Sequence, residues 1–482
     1  MDPQATLKTY FGYEHFRGKQ ADIIDHVLQQ KNALVLMPTG MGKSLCFQIP
    51  ALILPGLTLV ISPLIALMKD QVDSLCARKI DACFINSSLN KTQREKRYRH
   101  LADGKYKLLY VTPERFRKPD FLAAIAKRKV SLLAVDEAHC ISSWGHDFRP
   151  DYTRVGDFIK QLGSPPVIAL TATATPQVQQ DIIKQLALAQ GPRLFHQGID
   201  RPNLSLAVQH VCSEDQKIQH IRKAISTYTQ GSTIVYFTLI KTLDQFSQRL
   251  RQEKIPHLCY HGQLDPASRK KIQEQFIAQP NAVVLATNAF GMGIDKANIR
   301  CVIHADVPSS MESYYQEIGR AGRDGKKSQC LLLYDPNDLM TQMQFMDWSN
   351  PDALMYQRVY HHLQEDLEKI HAFGYDWLKE KLHAKKAKHD HRLVTALAMM
   401  ERYGVIKNHD DASRVTILTD LPDALCNEKQ CQAKLRRDQE KLYTLVQYAK
   451  HTASRMQFIH HYFGLTYHPP SDEKIAPASD FR

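Results

Sequence analysis

A chain of 482 residues with 43% hydrophobic and 23% charged side chains has globular composition and length for roughly three domains, which excludes disordered and fibrous architectures. Lys and Arg number 63 against 50 Asp and Glu, a net charge of +13, of which +11 falls in the first 350 residues and +2 in residues 351–482. Ten cysteines, scattered singly apart from Cys426 and Cys431, exclude a disulfide framework, and the basic excess fits either a polyanionic partner or a basic protein that binds none.

The N-terminal stretch "MDPQATLKTYFGYEHFRGKQ" has no apolar core of a signal peptide, so a reduced, cytoplasmic setting is expected. Short apolar runs then alternate with amphipathic stretches such as "ADIIDHVLQQ" and "DFIKQLG". "NALVLMP" (32–38), "LTLVIS" (57–62), "KLLYVT" (107–112), "SLLAVDE" (131–137) and "PVIALTAT" (166–173) read as buried strands, the rhythm of a doubly wound parallel sheet. The 18 uncharged residues "ALILPGLTLVISPLIALM" (51–68) are long enough to span a membrane. Pro55, Gly56 and Pro63 would break such a helix, so helix end, turn, buried strand and loop is the reading adopted.

The sheet pattern restarts near "GIDRPNLSLAV" (198–208). "STIVYF" (232–237), "HLCYHG" (257–262), "AVVLAT" (282–287), "CVIHAD" (301–306) and "CLLLYD" (330–335) give a second strand series. The expected domains are 1–203, 204–338 and a mainly helical 339–482. In the last, "DALMYQRVYHHLQEDLEKIHAFG" and "QAKLRRDQEKLYTLVQYAKHTASRMQFIHHYF" read as helices. Helix, helix and a hairpin-like tail between them read as a winged-helix-like unit. The tail "HPPSDEKIAPASDFR" has no core-forming pattern.

Three pieces carry chemistry. "MPTGMGKS" (37–44) follows a strand and precedes a helix, the context of a phosphate-binding loop, although Met37 stands where the usual pattern has its first glycine. The backbone N–H groups of Thr39, Gly40, Met41, Gly42, Lys43 and Ser44 would face the phosphates, Lys43 would reach the terminal ones, and Ser44 would bind Mg²⁺. The bland alternative is a sheet turn that happens to contain GKS. Next, "LLAVDEAHC" (132–140) ends a strand in two carboxylates. Asp136 can hold Mg²⁺ through water, and Glu137 can deprotonate the attacking water. The two strands are expected on adjacent paths. Third, "YYQEIGRAGRDG" (314–325) carries Arg320 and Arg323, three apart and expected on one helical face, with Gln316 before them. From the second lobe these arginines could meet developing γ-phosphate charge; alone, they read as a solvated face.

In motif order across about residues 1–338, the sequence resembles the RecQ family of superfamily 2 DNA helicases. "FGYEHFRGKQ" (11–20) looks like that family's adenine-reading segment, with Tyr13 stacking and Arg17 and Gln20 hydrogen-bonding the base. "MPTGMGKS", "SPLIALMKDQV" (62–72), "TPER" (112–115), "DEAH" (136–139), "TATAT" (171–175), "ATNAFGMGID" (286–295) and "QEIGRAGR" (316–323) match its helicase motifs, and such helicases often lack the first glycine. The resemblance implies two RecA-like lobes with ATP and Mg²⁺ between them. It places Asp295 with the nucleotide, and Ser62, Thr112, Arg115, Thr171, Thr173 and Thr287 on or coupled to the nucleic acid. "HCISSWGHDFRPDY" (139–152) sets Trp144, His146, Phe148 and Arg149 in a loop suited to stacking on bases and pairing with phosphates; plugging a local core is the alternative. In the family that loop couples DNA binding to ATP hydrolysis.

The resemblance weakens beyond the motor. The family's usual four-cysteine zinc site is missing its pattern: Ala453 or Ser454 stands at the helix cysteine, "YFG" (462–464) remains, and no cysteine follows. Cys426 and Cys431 do not close a tetrahedral site, and His460, His461 and His468 lack paired-ligand spacing, so zinc is not expected and helix packing must hold the region. The expected protein is a monomeric 3′→5′ translocase on single-stranded and partly duplex DNA, active in repair and recombination, with no membrane partner and no further helical accessory domain. The alternatives are an RNA helicase, a catalytically silent annealing or scaffold protein, and a small-molecule P-loop kinase. Stimulation by DNA or RNA, turnover in Glu137→Gln and polymer-independent activity discriminate among them.

Overall fold

The protein is described by a computed structural model covering residues 2–468 except 39, 64, 143–151, 153–154, 189–190, 292–293 and 383–389. The first strand series becomes a seven-stranded sheet. Its strands are β1 (Ala33–Leu36), β2 (Leu57–Ile61), β3 (Ala82–Ile85), β4 (Leu108–Val111), β5 (Val130–Val135), β6 (Val167–Thr171) and β7 (Arg193–His196). They lie in the order β3-β4-β2-β5-β6-β1-β7, with every ladder parallel. Helices cover both faces, so alternate residues enter two separate cores. Leu34 and Leu36 face one, Ala33 and Val35 the other. The uncharged stretch 51–68 is the end of helix Leu45–Ile53, a turn, β2 and the approach to helix Ile65–Ala77. Among the described residues no helix is long and apolar enough to cross a membrane.

The second sheet has β8 (Leu204–His210), β9 (Ser232–Tyr236), β10 (Leu258–Tyr260), β11 (Val283–Ala286), β12 (Ile299–His304) and β13 (Ser328–Tyr334), in the order β10-β11-β9-β12-β13-β8 and again parallel. Two tandem parallel-sheet lobes are therefore present. The sequence reading missed β3 and β7 as strands. Both lie at the edges of the sheet, with one neighbouring strand each, and Leu194 of β7 is 48% exposed.

The C-terminal region is mainly helical. Two expected long helices are each broken in two. Asp366 separates Ala353–Glu365 from Leu367–Lys381, and His451 to Ser454 separate Glu428–Lys450 from Arg455–Tyr462. The Ser454 hydroxyl caps the latter helix, accepting from the Gln457 N–H. Helix Arg392–Arg402 and a short antiparallel pair, β14 (Ile406–Lys407) with β15 (Thr416–Ile417), complete the helix–helix–hairpin order, around a core of its own. The packing expected of the last two helices is present: Leu442, Leu445, Tyr448, Ile459 and Phe463 are buried in the core of the second lobe.

Candidate functional site at the junction of the lobes

Strand β1 lies inside the first sheet, and its C-terminal end delivers the chain to the glycine loop. The Met37 N–H donates to Thr171 O at 3.0 Å, fixing where the loop leaves the sheet. Gly40 and Gly42 hold φ of +82° and +78°, the left-handed region that glycine enters at least cost. A Cβ on Gly42 would also lie 2.6 Å from Gln20 Nε2. Helix Leu45–Ile53 starts directly after Ser44, whose side chain makes no capping bond. The Lys43 ammonium is buried and has no hydrogen-bond acceptor among the described residues. Such a group is costly unless an anion satisfies it. Gln20 is buried too. Its amide donates to Met41 O (3.0 Å) and Gly42 O (3.1 Å), and its oxygen accepts from the Arg17 N–H (2.9 Å). Here Gln20 braces the loop. Tyr13 and Arg17, the other two residues assigned to the base, are exposed.

At the end of β5 the Asp136 N–H donates to Ile61 O (2.8 Å), and its carboxylate accepts from the Glu137 N–H (3.0 Å). Burial, reinforced by Glu137, holds the Asp136 carboxyl above the usual carboxylate range, while Lys43 opposes the rise. Glu137 itself has φ +47°, an uncommon backbone for a residue with a side chain. Its buried Oε2 lies 3.3 Å from His139 Nδ1. That nitrogen is 3.0 Å from Thr171 Oγ1, and the Thr171 hydroxyl in turn bonds the backbone of Thr173, accepting from its N–H at 3.2 Å and donating to its carbonyl at 3.3 Å. The expected adjacency of the two site strands is corrected. β6 lies between β1 and β5, and it places Thr171 between the loop and the acids. His139 was not assigned a role from the sequence, although it is the fourth letter of "DEAH".

The arginines of the second lobe are also placed differently from expectation. Helix Met311–Ile318 stops before them, so Arg320 and Arg323 lie in the following turn, with Gly319 and Gly322 on either side of Arg320, not on a helical face. Gly322 has φ +53° and its N–H donates to Ile299 O, away from the helix axis. Arg320 is buried, donates to Gly291 O and packs on Gly291. Arg323 donates to Ile294 O (2.9 Å) and Asp295 Oδ1 (2.7 Å). It then crosses to the other lobe, where a Cβ on Gly40 would meet its Cγ at 3.1 Å. Burial lowers its pKa, with Asp295 opposing. Gln316 is half-buried on the helix before the turn.

The remaining assigned residues sit at strand ends on the same edges. Ser62 follows β2, Thr112 and Arg115 follow β4, Thr173 follows β6, and Thr287 follows β11; all five are buried. Ser62 Oγ and Thr173 Oγ1 have no hydrogen-bond partner among the described residues. Thr39, Trp144, His146, Phe148 and Arg149 lie outside the described residues. In the C-terminal region both ring nitrogens of buried His460 are engaged, with Met456 O (2.8 Å) and Asp200 Oδ1 (2.9 Å). Cys426 and Cys431 donate to Pro422 O and Leu425 O.

The family model for a DEAD/DEAH box helicase matches residues 17–182, and that for the helicase conserved C-terminal domain matches residues 216–325. The chain is 46% identical to the ATP-dependent DNA helicase RecQ of Bacillus subtilis over 356 residues, 73% of this chain and 60% of that protein. It is 44% identical to the RecQ of Pasteurella multocida over 332 residues, 69% of this chain and 52% of that protein. It is 42% identical to the probable ATP-dependent DNA helicase RecS of B. subtilis over 352 residues, 73% of this chain and 70% of that protein. The chain thus spans between about half and 60% of the first two relatives' length. Among solved structures, the helicase Mss116 bound to single-stranded RNA and UDP-BeF is similar in fold, with a TM-score of 0.59 at 16% identity over 84% of this chain and 89% of that one. So is Saccharomyces cerevisiae Dbp5 bound to RNA and ADP BeF3, with a TM-score of 0.58 at 18% identity over 72% of this chain and 91% of that one.

Proposed function

The chain belongs to the RecQ family of superfamily 2 helicases, and from that we propose that it is an ATP-dependent DNA helicase. It moves 3′→5′ on single-stranded DNA, opens partly duplex DNA, works as a monomer, and serves repair and recombination. The observation that carries the reading is Arg323 of the second lobe lying on Gly40 of the phosphate loop, beside a buried lysine that lacks an acceptor. An ATP phosphate group supplies what Lys43 lacks. In this reading Lys43 binds the terminal phosphates, with the loop N–H groups. Glu137 takes the proton of the attacking water through its buried Oε2, which makes no hydrogen bond and lies 3.3 Å from His139 Nδ1. Arg320 and Arg323 meet the charge that develops on the transferred phosphoryl group, with Gln316 alongside. Asp295 orients Arg323. Tyr13, Arg17 and Gln20 read the base once Gln20 releases the loop carbonyls.

Ser44 and Asp136 would hold a Mg²⁺ ion, which when bound neutralises phosphate charge. A single carboxylate with a hydroxyl fits an ion that keeps most of its waters, and among the described residues no cluster of three metal-ligating groups exists. The path from Glu137 through His139 and Thr171 to Thr173 links the acids to the sheet edge where Ser62, Thr112, Arg115 and, on the other lobe, Thr287 would meet the strand.

The test is unwinding of duplexes with 3′ or 5′ single-stranded tails, with ATP turnover measured on DNA and RNA. Unwinding of the 3′-tailed duplex alone, with hydrolysis stimulated by DNA over RNA, supports the proposal. Preferential stimulation by RNA, or annealing without turnover, overturns it.

A further inference from the structure

The connection between the lobes ends in a buried charge with no carboxylate partner among the described residues. Arg201 is 8% exposed. Its guanidinium donates to three backbone carbonyls, Gly319 O (3.3 Å), Ala321 O (2.6 Å) and Gly322 O (3.0 Å), and to Asn203 Oδ1 (3.4 Å). Those carbonyls belong to the turn that carries Arg320 and Arg323. Asn203 adds its own amide to Gly322 O (2.8 Å) and Lys326 O (3.0 Å), and Tyr315 of the preceding helix donates to Ile199 O (3.1 Å). The other end of the same segment is tied to the first lobe. Gln197 accepts from the Lys19 N–H (2.7 Å), and its N–H donates to Leu36 O (3.0 Å). Three residues, Gly198 to Asp200, separate Gln197 of the first lobe from Arg201 of the second. Among them Gly198, with φ +82°, holds the left-handed backbone that glycine enters at least cost.

Burying a guanidinium without an anion is expensive, and the compensation here is purely positional. Its two terminal nitrogens hold the carbonyls of Gly319, Ala321 and Gly322, so three points of the turn are tied to one planar group. We propose that Arg201 is a positioning residue for ATP hydrolysis: it fixes the 319–323 turn so that the Arg320 and Arg323 side chains arrive at the phosphate loop when the lobes close about residues 198–200. The proposal rests on the helicase reading of the same site and adds a residue that touches neither nucleotide nor DNA.

The test compares Arg201→Ala, Arg201→Lys and Arg320→Ala with the wild type in DNA-stimulated ATP hydrolysis, thermal unfolding and amide hydrogen exchange of residues 319–325. Arg201→Ala is expected to lower kcat at least tenfold and to leave the KM for ATP and the affinity for single-stranded DNA within threefold. Exchange in the turn rises, and guanidinium ion or the lysine variant restores part of the rate. Adding Arg201→Ala to Arg320→Ala costs less than the sum of the two single losses, because part of what Arg201 positions is already gone. Wild-type kcat in Arg201→Ala, additive losses in the double variant, or unchanged exchange overturns the proposal. So does a kcat loss that only follows a general fall in melting temperature and DNA affinity. Exchange is read without turnover, so the clamp is tested even in a protein that hydrolyses nothing; absence of turnover in the wild type refutes the helicase reading instead.

Discussion

Glu137 concentrates the chemistry into one residue. A left-handed backbone, a buried oxygen without a hydrogen bond and a neighbouring imidazole are not what a structural surface acid needs. Glu137→Gln preserves shape and removes the base, so turnover is expected to fall by about 10²–10⁴ while ATP affinity changes only a few-fold, as nucleotide binding beside single-turnover rates would show. Thr171→Val removes the hydroxyl that joins His139 to Thr173. Losing that junction, worth ~1–2 kcal/mol, should lower DNA-stimulated turnover about tenfold while the dissociation constant for single-stranded DNA holds. The motif residues themselves were legible because their chemistry is written in residue type: a lysine after two glycines, two acids after an apolar run. The bridging by His139 was not, because it depends on β6 lying between β1 and β5, a fact of sheet order that no local spacing encodes.

At the scale of elements, strand existence was readable where strands are buried on both faces. It failed at β3 and β7, the two edges of the first sheet, where a strand is covered by one neighbour only. The helical-face expectation for Arg320 and Arg323 failed for a related reason. Glycines on both sides of Arg320 end the helix, and the clamping groups come from residues more than a hundred positions away. Helix Asp338–Ser349 begins at another long-range cluster, in which Lys217 is shared by Asp306 (3.0 Å) and Asp338 (2.8 Å). Burial, then repulsion from Asp306, raises the Asp338 carboxyl from 3.8 to about 7, against the pull of Lys217. The folded state therefore holds a proton that the unfolded chain has lost between these values, so this group's stabilisation is full below the unfolded value and declines as pH rises toward 7. Urea midpoints measured from pH 4 to pH 7 should fall less steeply in Asp338→Asn than in the wild type; equal slopes would show that the cluster does not titrate in this window. The docking of the last two helices has its own prediction. Tyr448 is fully buried and its hydroxyl meets that of Tyr314 at 3.1 Å. Tyr448→Ala should cost ~3–5 kcal/mol in urea unfolding, and Tyr448→Phe about 1–2, since it leaves one buried hydroxyl unpaired.

For the whole molecule, the two sheets are separate solids and the site belongs to neither. The first lobe brings the lysine, the acids and Gln20, which braces the loop; the second brings the arginines; the connection between them is tied at both ends. A motor needs that division, because a site split across two bodies is complete only when they close. The positive charge fits the same picture: the first 350 residues, which form both lobes, carry +11 of the net +13. The decisive measurement is steady-state ATP hydrolysis by the wild type and by Arg323→Ala, with and without single-stranded DNA, alongside ATP-binding affinity. The account predicts strong stimulation of the wild type by DNA, and a kcat at least a hundredfold lower in Arg323→Ala with ATP binding nearly intact. Full turnover without the second lobe's arginine would mean that the nucleotide is hydrolysed by the first lobe alone, and the two-lobed motor would be wrong.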